Sequence, residues 1–302
     1  MSAANPAVNT DSRAVGDDRV RVRAARLGLR TIALGYLLMI LALPVVTIFW
    51  RSFEGGLEPV LAAMQRPAFQ SAFWLTLQVT LIAVPVNTIF GIIAALAIVR
   101  RRFPGRSLLN ALIDLPFALS PVIIGLSLIL VYGKHGWLGG LLDDLGFTVI
   151  FAVPGMILAT MFVSLPFVVR EVIPVLREIG TDSEEAAYTL GASQWRAFWR
   201  ITMPAIRWGV IYGIILTTAR SLGEYGAVAI VSGKIVNKTE TLTTHVEERY
   251  LAFDIHGAYV AAITLALMAL LVLAAMQILQ SGRLRRRSNT DAAKLASATE
   301  ER

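Results

Sequence analysis

The sequence predicts an all-α membrane protein that crosses the bilayer six times. Its 302 residues are 56% hydrophobic and only 16% charged, with a mean hydropathy of +0.64; soluble domains carry roughly 25% charged residues. Six apolar runs each approach the length of about 20 residues that a helix needs to span a hydrocarbon core. Lys and Arg, which bring the formal net charge to +7, alternate in density between successive connections. They do not gather on one soluble face, so they argue for orientation in a membrane and against nucleic acid as a partner.

The elements follow in order. Residues 1–30 are a polar, Arg-rich tail, and the first span, 31–50, is too long for a signal-peptide core and has no Ala-x-Ala site after it. It is read as a retained helix. The second span, 72–99, has room to tilt. The third and fourth, 108–132 and 149–169, are interrupted by Pro116, Pro121, Pro154 and Pro166, which a packed bundle tolerates because neighbours satisfy the freed carbonyls. The fifth and sixth are 208–231 and 257–280. A tail, 281–302, closes the chain, with SGRLRRR as a juxtamembrane anchor to acidic headgroups. Of the 28 Lys and Arg, 21 fall in the two tails and in the connections 100–107 and 170–207, against 6 in the other three connections. Positive charge marks the cytoplasmic side, so both termini and the 170–207 connection are expected in the cytoplasm.

Cysteine is absent, which excludes disulfides, thiolate metal sites and a cysteine nucleophile. His135, His245 and His256 are dispersed in external connections without metal-ligand spacing, so no metal is expected. No Gly-rich phosphate loop occurs, so any ATP chemistry belongs to a partner. Asp114 reads as a helix cap or, less simply, a residue of an anion path. Gly209 and Gly213, four apart, suit close helix packing. Asp143, Asp144 and the 232–256 connection are external and either solvated or in reach of an outside protein.

The stretch EEAAYTLGASQWRAFWRITMP, 184–204, lies in the long cytoplasmic connection. Thr181 and Glu184 have capping-box spacing, and Asp182, Glu184 and Glu185 favour the first turn of a helix that Gly191 ends. A second short helix, Ser193 to Arg200, carries Trp195, Phe198 and Trp199 and is expected to lie along the membrane. Physics alone leaves two readings open, an interfacial aromatic anchor or a small-residue helix that docks on a partner.

Here the residues resemble a known family. Glu185-Ala186-Ala187, Gly191 and Ile201-Thr202-Met203-Pro204 match the EAA signature of ABC importer permeases, with Met203 in place of Leu as the one departure. The resemblance implies a type I ABC importer permease bundle. In it, Glu185, Ala186, Ala187, Gly191, Ile201 and Pro204 form the coupling segment that seats in a cleft of an ATP-binding cassette subunit, of which the complex has two, and these use ATP with Mg. It extends through DLPFALSPVIIGL, PFVVREVIPVL and ARSLGEYGAVAIVSGKI to the sulfate/thiosulfate permeases, in particular their W-type subunit. That implies a multi-pass protein of a bacterial inner membrane, a second T-type permease and a periplasmic sulfate/thiosulfate-binding protein. The LGE-aromatic-GA piece is shared with molybdate permeases, so a molybdate or tungstate permease is the alternative. A secondary anion transporter would show more paired intramembrane charge or inverted repeats.

Arg220 and Glu224 fall inside the fifth span, four residues apart. A charge at the bilayer centre costs about 2.5–3.5 kcal/mol, so both should face the bundle or an aqueous path. They are either a mutual pair, with Asn87 or Ser120 nearby, that holds helices together, or the lining of a gate for a dianion.

Overall fold

The computed structural model describes residues 27–300, with side chains to Ile278; residues 1–26 of the expected N-terminal tail lie outside it. All regular structure among the described residues is helical. The helices are α1 (Leu27–Phe53), α2 (Leu57–Met64), α3 (Pro67–Arg100), α4 (Arg106–Ala118), α5 (Pro121–Tyr132) and α6 (Gly139–Asp144). They continue with α7 (Val153–Ile179), α8 (Asp182–Thr189), α9 (Gln194–Leu222), α10 (Gly226–Ser232), α11 (Leu242–Leu251) and α12 (Ile255–Glu300). α1 belongs to a unit that ends at Glu54, and the remaining helices form a second unit from Gly55.

Five helices, α1, α3, α7, α9 and the Ile255–Ile278 part of α12, are long and apolar enough to cross a membrane. The expected third span differs. Instead of one helix it is α4 and α5, which meet at a bend of 115° across Leu119 and Ser120. Pro121 opens α5 and has no N–H to continue the ladder, and the residue before a proline is pushed out of the α region: Ser120 is extended, with ψ 137°. The fifth span differs too, because α9 stops at Leu222 and α10 begins a new helix at Gly226. At the other end α12 runs helically to Glu300, through the segment read from the sequence as a tail.

Prolines also account for the two π turns. Leu38–Ala42 precedes Pro44 and Phe198–Thr202 precedes Pro204. In each case the carbonyl four residues before the proline, at Ile40 or Arg200, loses its usual donor, and the helix widens there instead of breaking. α9 therefore runs unbroken from Gln194, so the separate membrane-parallel helix expected over Ser193–Arg200 is the first two turns of a span.

The second unit is organised around α7, which packs on α3 and α9. A Cβ on Gly91 would lie 2.7 Å from Val168 Cβ, and one on Gly213 would lie 2.8 Å from Val168 Cα. Val168 of α7 is thus clasped between glycines of two other helices, the close approach expected of Gly213. Lipid supplies no hydrophobic drive between helices, so such van der Waals contact is what holds them. Around it Ala95, Ile98, Ile113, Val169, Val172, Leu176 and Ile206 are buried as one core at the α8 end. A second core, with Leu75, Val79, Ile124, Met156, Ala159 and Val228, lies towards the other end. A third, of Val60, Phe69, Ala72, Leu242, Val260 and Ala261, seats α11 against α2, α3 and α12.

Candidate functional site

The candidate residues lie mainly in two places, at opposite ends of α9. The first is α8 and its junctions. α8 carries Glu185, Ala186 and Ala187, and its C-terminal turn passes through Gly191 at φ +83°, a left-handed conformation that costs other residues about 1–2 kcal/mol. Glu185 and Ala186 are exposed, Ala187 is half-buried, and Tyr188, Leu190, Trp195 and Trp199 also present their side chains outward. Ile201 is half-buried within the π turn and Pro204 is exposed just after it. Trp195, Phe198 and Trp199 form an aromatic cluster with centroids 5.1–6.3 Å apart. The surface is small and polar at its centre and aromatic at its edge.

Glu184 is not in a capping box: Thr181 makes no side-chain cap. Its Oε1 instead accepts from Thr202 Oγ1 at 2.8 Å and Arg100 Nη2 at 3.1 Å. Arg100 also donates to the carbonyls of Leu176, at 3.1 Å, and Gly180, at 2.6 Å, in the last turn of α7. One guanidinium and one carboxylate therefore join the ends of α3 and α7 to α8 and the root of α9. Sequence reasoning missed this node. Arg100 looked like one of several orienting charges, and the signal for it was only that it is the last residue of a long span. Beside it an open groove of about 870 Å³ runs between Arg100, Arg101 and Arg102 on one wall and Glu185 and Tyr188 on the other.

The second place is where the two broken helices meet. A Cβ on Gly226, at the start of α10, would lie 2.9 Å from Pro121 Cβ, at the start of α5; one on Gly125 would lie 2.8 Å from Ile230 Cβ. Arg220 is in the last turn of α9, not mid-helix, and Glu224 lies past its end, so the two share no helix face. They still meet: Arg220 Nη1 is 2.7 Å from Glu224 Oε2, a charge contact without an N–H aimed along it. The other carboxylate oxygen, Oε1, accepts the Ala227 N–H at 2.9 Å at the start of α10. Side-chain exposure is 31% for Arg220 and 2% for Glu224, so the accessible partner is the cation. Ser120 is exposed at the α4–α5 break beside Pro121. Asn87 is fully buried and donates to Met161 O and Ser164 Oγ, both at 2.9 Å; Ser164 lies 3.5 Å from Ser221, the neighbour of Arg220. Asn87 thus holds α3 to α7 in a buried polar layer and reaches the ion pair only through two serines.

Two further expectations are corrected. Asp114 does not cap a helix; it lies within α4 and takes Arg170 of α7 in a two-pronged pair, Nε to Oδ1 at 2.7 Å and Nη2 to Oδ2. The 232–256 connection is not a solvated loop, since α11 is docked by buried Leu242, Thr244 and His245. His245 is paired through Nδ1 with the buried Glu240 at 2.9 Å, and His256 lies in the first turn of α12.

Long helices with an exposed small-residue helix at one end and two helix breaks meeting towards the other define the membrane subunit of a transporter. The chain belongs to the family of binding-protein-dependent transport system inner membrane components, whose model matches residues 87–286. It is a multi-pass inner-membrane permease. Sulfate transport system permease protein CysW of Synechocystis sp. is 51% identical over 249 residues, which cover 82% of this chain and 90% of that protein. The protein of the same name in Escherichia coli strain K12 is 47% identical over 241 residues, covering 80% and 83%. Among solved structures, a bacterial alginate ABC transporter in complex with an alginate-bound periplasmic protein superposes with a TM-score of 0.71. Its identity is 18% over 84% of this chain and 93% of that one, a likeness of fold. The family and fold read from the motifs are borne out.

Proposed function

We propose that this chain is the W-type permease subunit of an ATP-driven importer that carries sulfate and thiosulfate into the cell. The observation that carries the reading is the identity of about half, over 80–84% of the chain, with sulfate permeases. These relatives do not favour the molybdate or tungstate alternative. Two ATP-binding cassette subunits would hydrolyse ATP with Mg, and this chain would hold no cofactor of its own. A T-type permease would complete the path, and a periplasmic sulfate/thiosulfate-binding protein would deliver substrate.

The two ends of α9 then have separate tasks. At the cytoplasmic end, Glu185, Ala186, Ala187 and Gly191 form the docking face, small enough for close contact, while Ile201 and Pro204 set the π turn that joins it to the span. Towards the outer end, the half-exposed Arg220 offers a dianion a charge, and Glu224 neutralises much of it. A path must not hold its substrate tightly if the substrate is to leave. Ser120 would line the facing break, and Asn87 would hold the helices in register.

The test is uptake of radiolabelled sulfate in cells lacking only this gene, with unlabelled thiosulfate and molybdate as competitors. Loss of uptake, restored by the gene and blocked by thiosulfate, is the expected result. Unchanged sulfate uptake with defective molybdate uptake would overturn the substrate. Arg220→Ala should lower uptake with the complex intact; equal loss of assembled complex would make the pair a structural one.

A further inference from the structure

We propose that α11 is a latch on the outer end of the path, holding the α9–α10 break through Thr243 and Glu247 until the binding protein docks. This rests on the permease reading above.

α11 has two unlike sides. One is fixed to the bundle. Leu242 is fully buried in the core with Phe69, Ala72 and Val260, and its N–H donates to Thr76 Oγ1 of α3 at 2.8 Å. The other side faces the break. Thr243 Oγ1 donates to the carbonyl of Glu224 at 2.8 Å, so it holds the backbone of the residue that pairs with Arg220. One turn further on, Glu247 takes Lys234 Nζ, just past α10, and lies beside Tyr225, just before it. Thr243 and Glu247 are four residues apart and so lie on one helix face.

The two sides differ in what it costs to part them. Separating the buried Leu242 side exposes apolar surface. Lys234 and Glu247 side chains are 25% and 29% exposed, and water can take over their hydrogen bonds as the break moves. That makes the polar side the one that opens. The far end of α11 leads into Tyr250, Leu251 and Phe253, exposed by 63%, 61% and 89%, with Phe253 held at a left-handed φ of 59°. A conformation of that kind persists only where the surroundings hold it. This apolar tip is where a docked protein would push or pull on the latch.

The test uses the full complex in liposomes, with ATPase read with and without sulfate-loaded binding protein. Losing one such hydrogen bond moves an equilibrium roughly threefold to tenfold, so Thr243→Val and Glu247→Ala should each raise ATPase without binding protein by that factor. Thr243→Ser, which keeps the donor, should restore the wild-type rate. Unchanged unstimulated ATPase in both variants, in complex that assembles normally, overturns the latch. A second measurement covers variants that fail to assemble. The chain has no cysteine, so Tyr225→Cys with Glu247→Cys can be joined by a short bis-maleimide, which should stop uptake. Transport at the uncrosslinked rate would overturn the latch. Wild-type complex that binding protein does not stimulate would instead sink the importer reading beneath it.

Discussion

Replacing Arg100 with Met should disconnect α8 from the bundle while leaving the spans folded. Arg100 and Glu184 side chains are 14% and 12% exposed, and the guanidinium serves three acceptors at once: Leu176 O, Gly180 O and Glu184 Oε1. A hydrogen bond to a charged group contributes about 1.5–3 kcal/mol, and breaking a buried pair costs about 3–5 kcal/mol because the other charge is stranded. Glu184 keeps Thr202 as a donor at 2.8 Å, so the low end, about 3 kcal/mol, is the appropriate figure. That corresponds to a change on the order of 100-fold in the population with α8 in place. Met preserves most of the stem, so the loss is of charge and not of packing. The assay is ATPase stimulation by loaded binding protein, normalised to assembled complex. R100M should lose at least tenfold, by the same arithmetic with a tenfold margin. Glu184→Gln should lose less, since an amide oxygen still accepts from Thr202 and Arg100. The R100M/E184Q double variant should resemble R100M alone, because the two residues act as one unit. Full stimulation in R100M, or losses that add in the double variant, would mean that Arg100 merely caps α7.

Three further outcomes follow from local geometry. Gly191→Val places a β-branched residue at φ +83°, and should abolish ATPase stimulation while membrane insertion, read by fractionation, stays normal. Gly213→Ala puts a methyl 2.8 Å from the Val168 backbone, which no rotamer change can relieve; a loss of about 1–3 kcal/mol should appear as a lower Tm in detergent. Asp254 answers to pH. Burial would raise its pKa, but the Gly257 N–H and Arg66 hydrogen bonds and the Arg66 charge together hold it below the usual carboxylate range. A depressed carboxylate adds stability that is present above its unfolded value, about 3.9, and is lost as pH falls through the folded value. Tm should therefore drop below about pH 4 in the native chain, and drop less steeply in Asp254→Asn; identical acid profiles would show that the pair does not matter.

How much of this was legible in the sequence depends on the kind of signal. Span positions follow from apolar run length, which hydropathy reads directly, and the α8 surface follows from a motif with fixed spacing. The breaks were not legible, because hydropathy carries no direction. GEYGAVAIVS continues the apolar run of α9 without interruption, although the chain has already turned at Gly223. Pro121 did mark the α4–α5 break, but a proline in a span is compatible with a mild kink as well as a bend of 115°. The same proline logic could have found the π turns before Pro44 and Pro204. α11 was hidden for another reason: Leu-Thr-Thr-His-Val-Glu-Glu-Arg reads as a polar connection, and what docks it is a face of small hydroxyls and one leucine. Arg100 and Glu184 were each given a local role, in orientation and in capping, because a bond across 84 positions leaves no trace in spacing.

The distribution of contact types argues for where the molecule bends. Between α3, α7 and α9 the contacts at the α8 end are steric, glycine against Val168 and a continuous apolar core behind it. Packed cores of this kind move as a body or not at all, since sliding one helix by a fraction of a turn would collide backbone with backbone. Arg100 and Glu184 fasten α8 to three elements of that body. A displacement of α8 is therefore delivered undiminished along α9, about 43 Å at 1.5 Å per residue over its 29 residues. At the far end the helix is interrupted at Gly223 and Glu224, and the backbone there is tied by single polar contacts: the Arg220 pair, the Ala227 N–H on Glu224 Oε1 and the Thr243 hydroxyl on the Glu224 carbonyl. The long helix ends where these single polar contacts begin, and the charges of Arg220 and Glu224 sit at that boundary. A force applied at α8 would find its compliance there, at a pair that straddles the end of the helix, Arg220 in its last turn and Glu224 just past it.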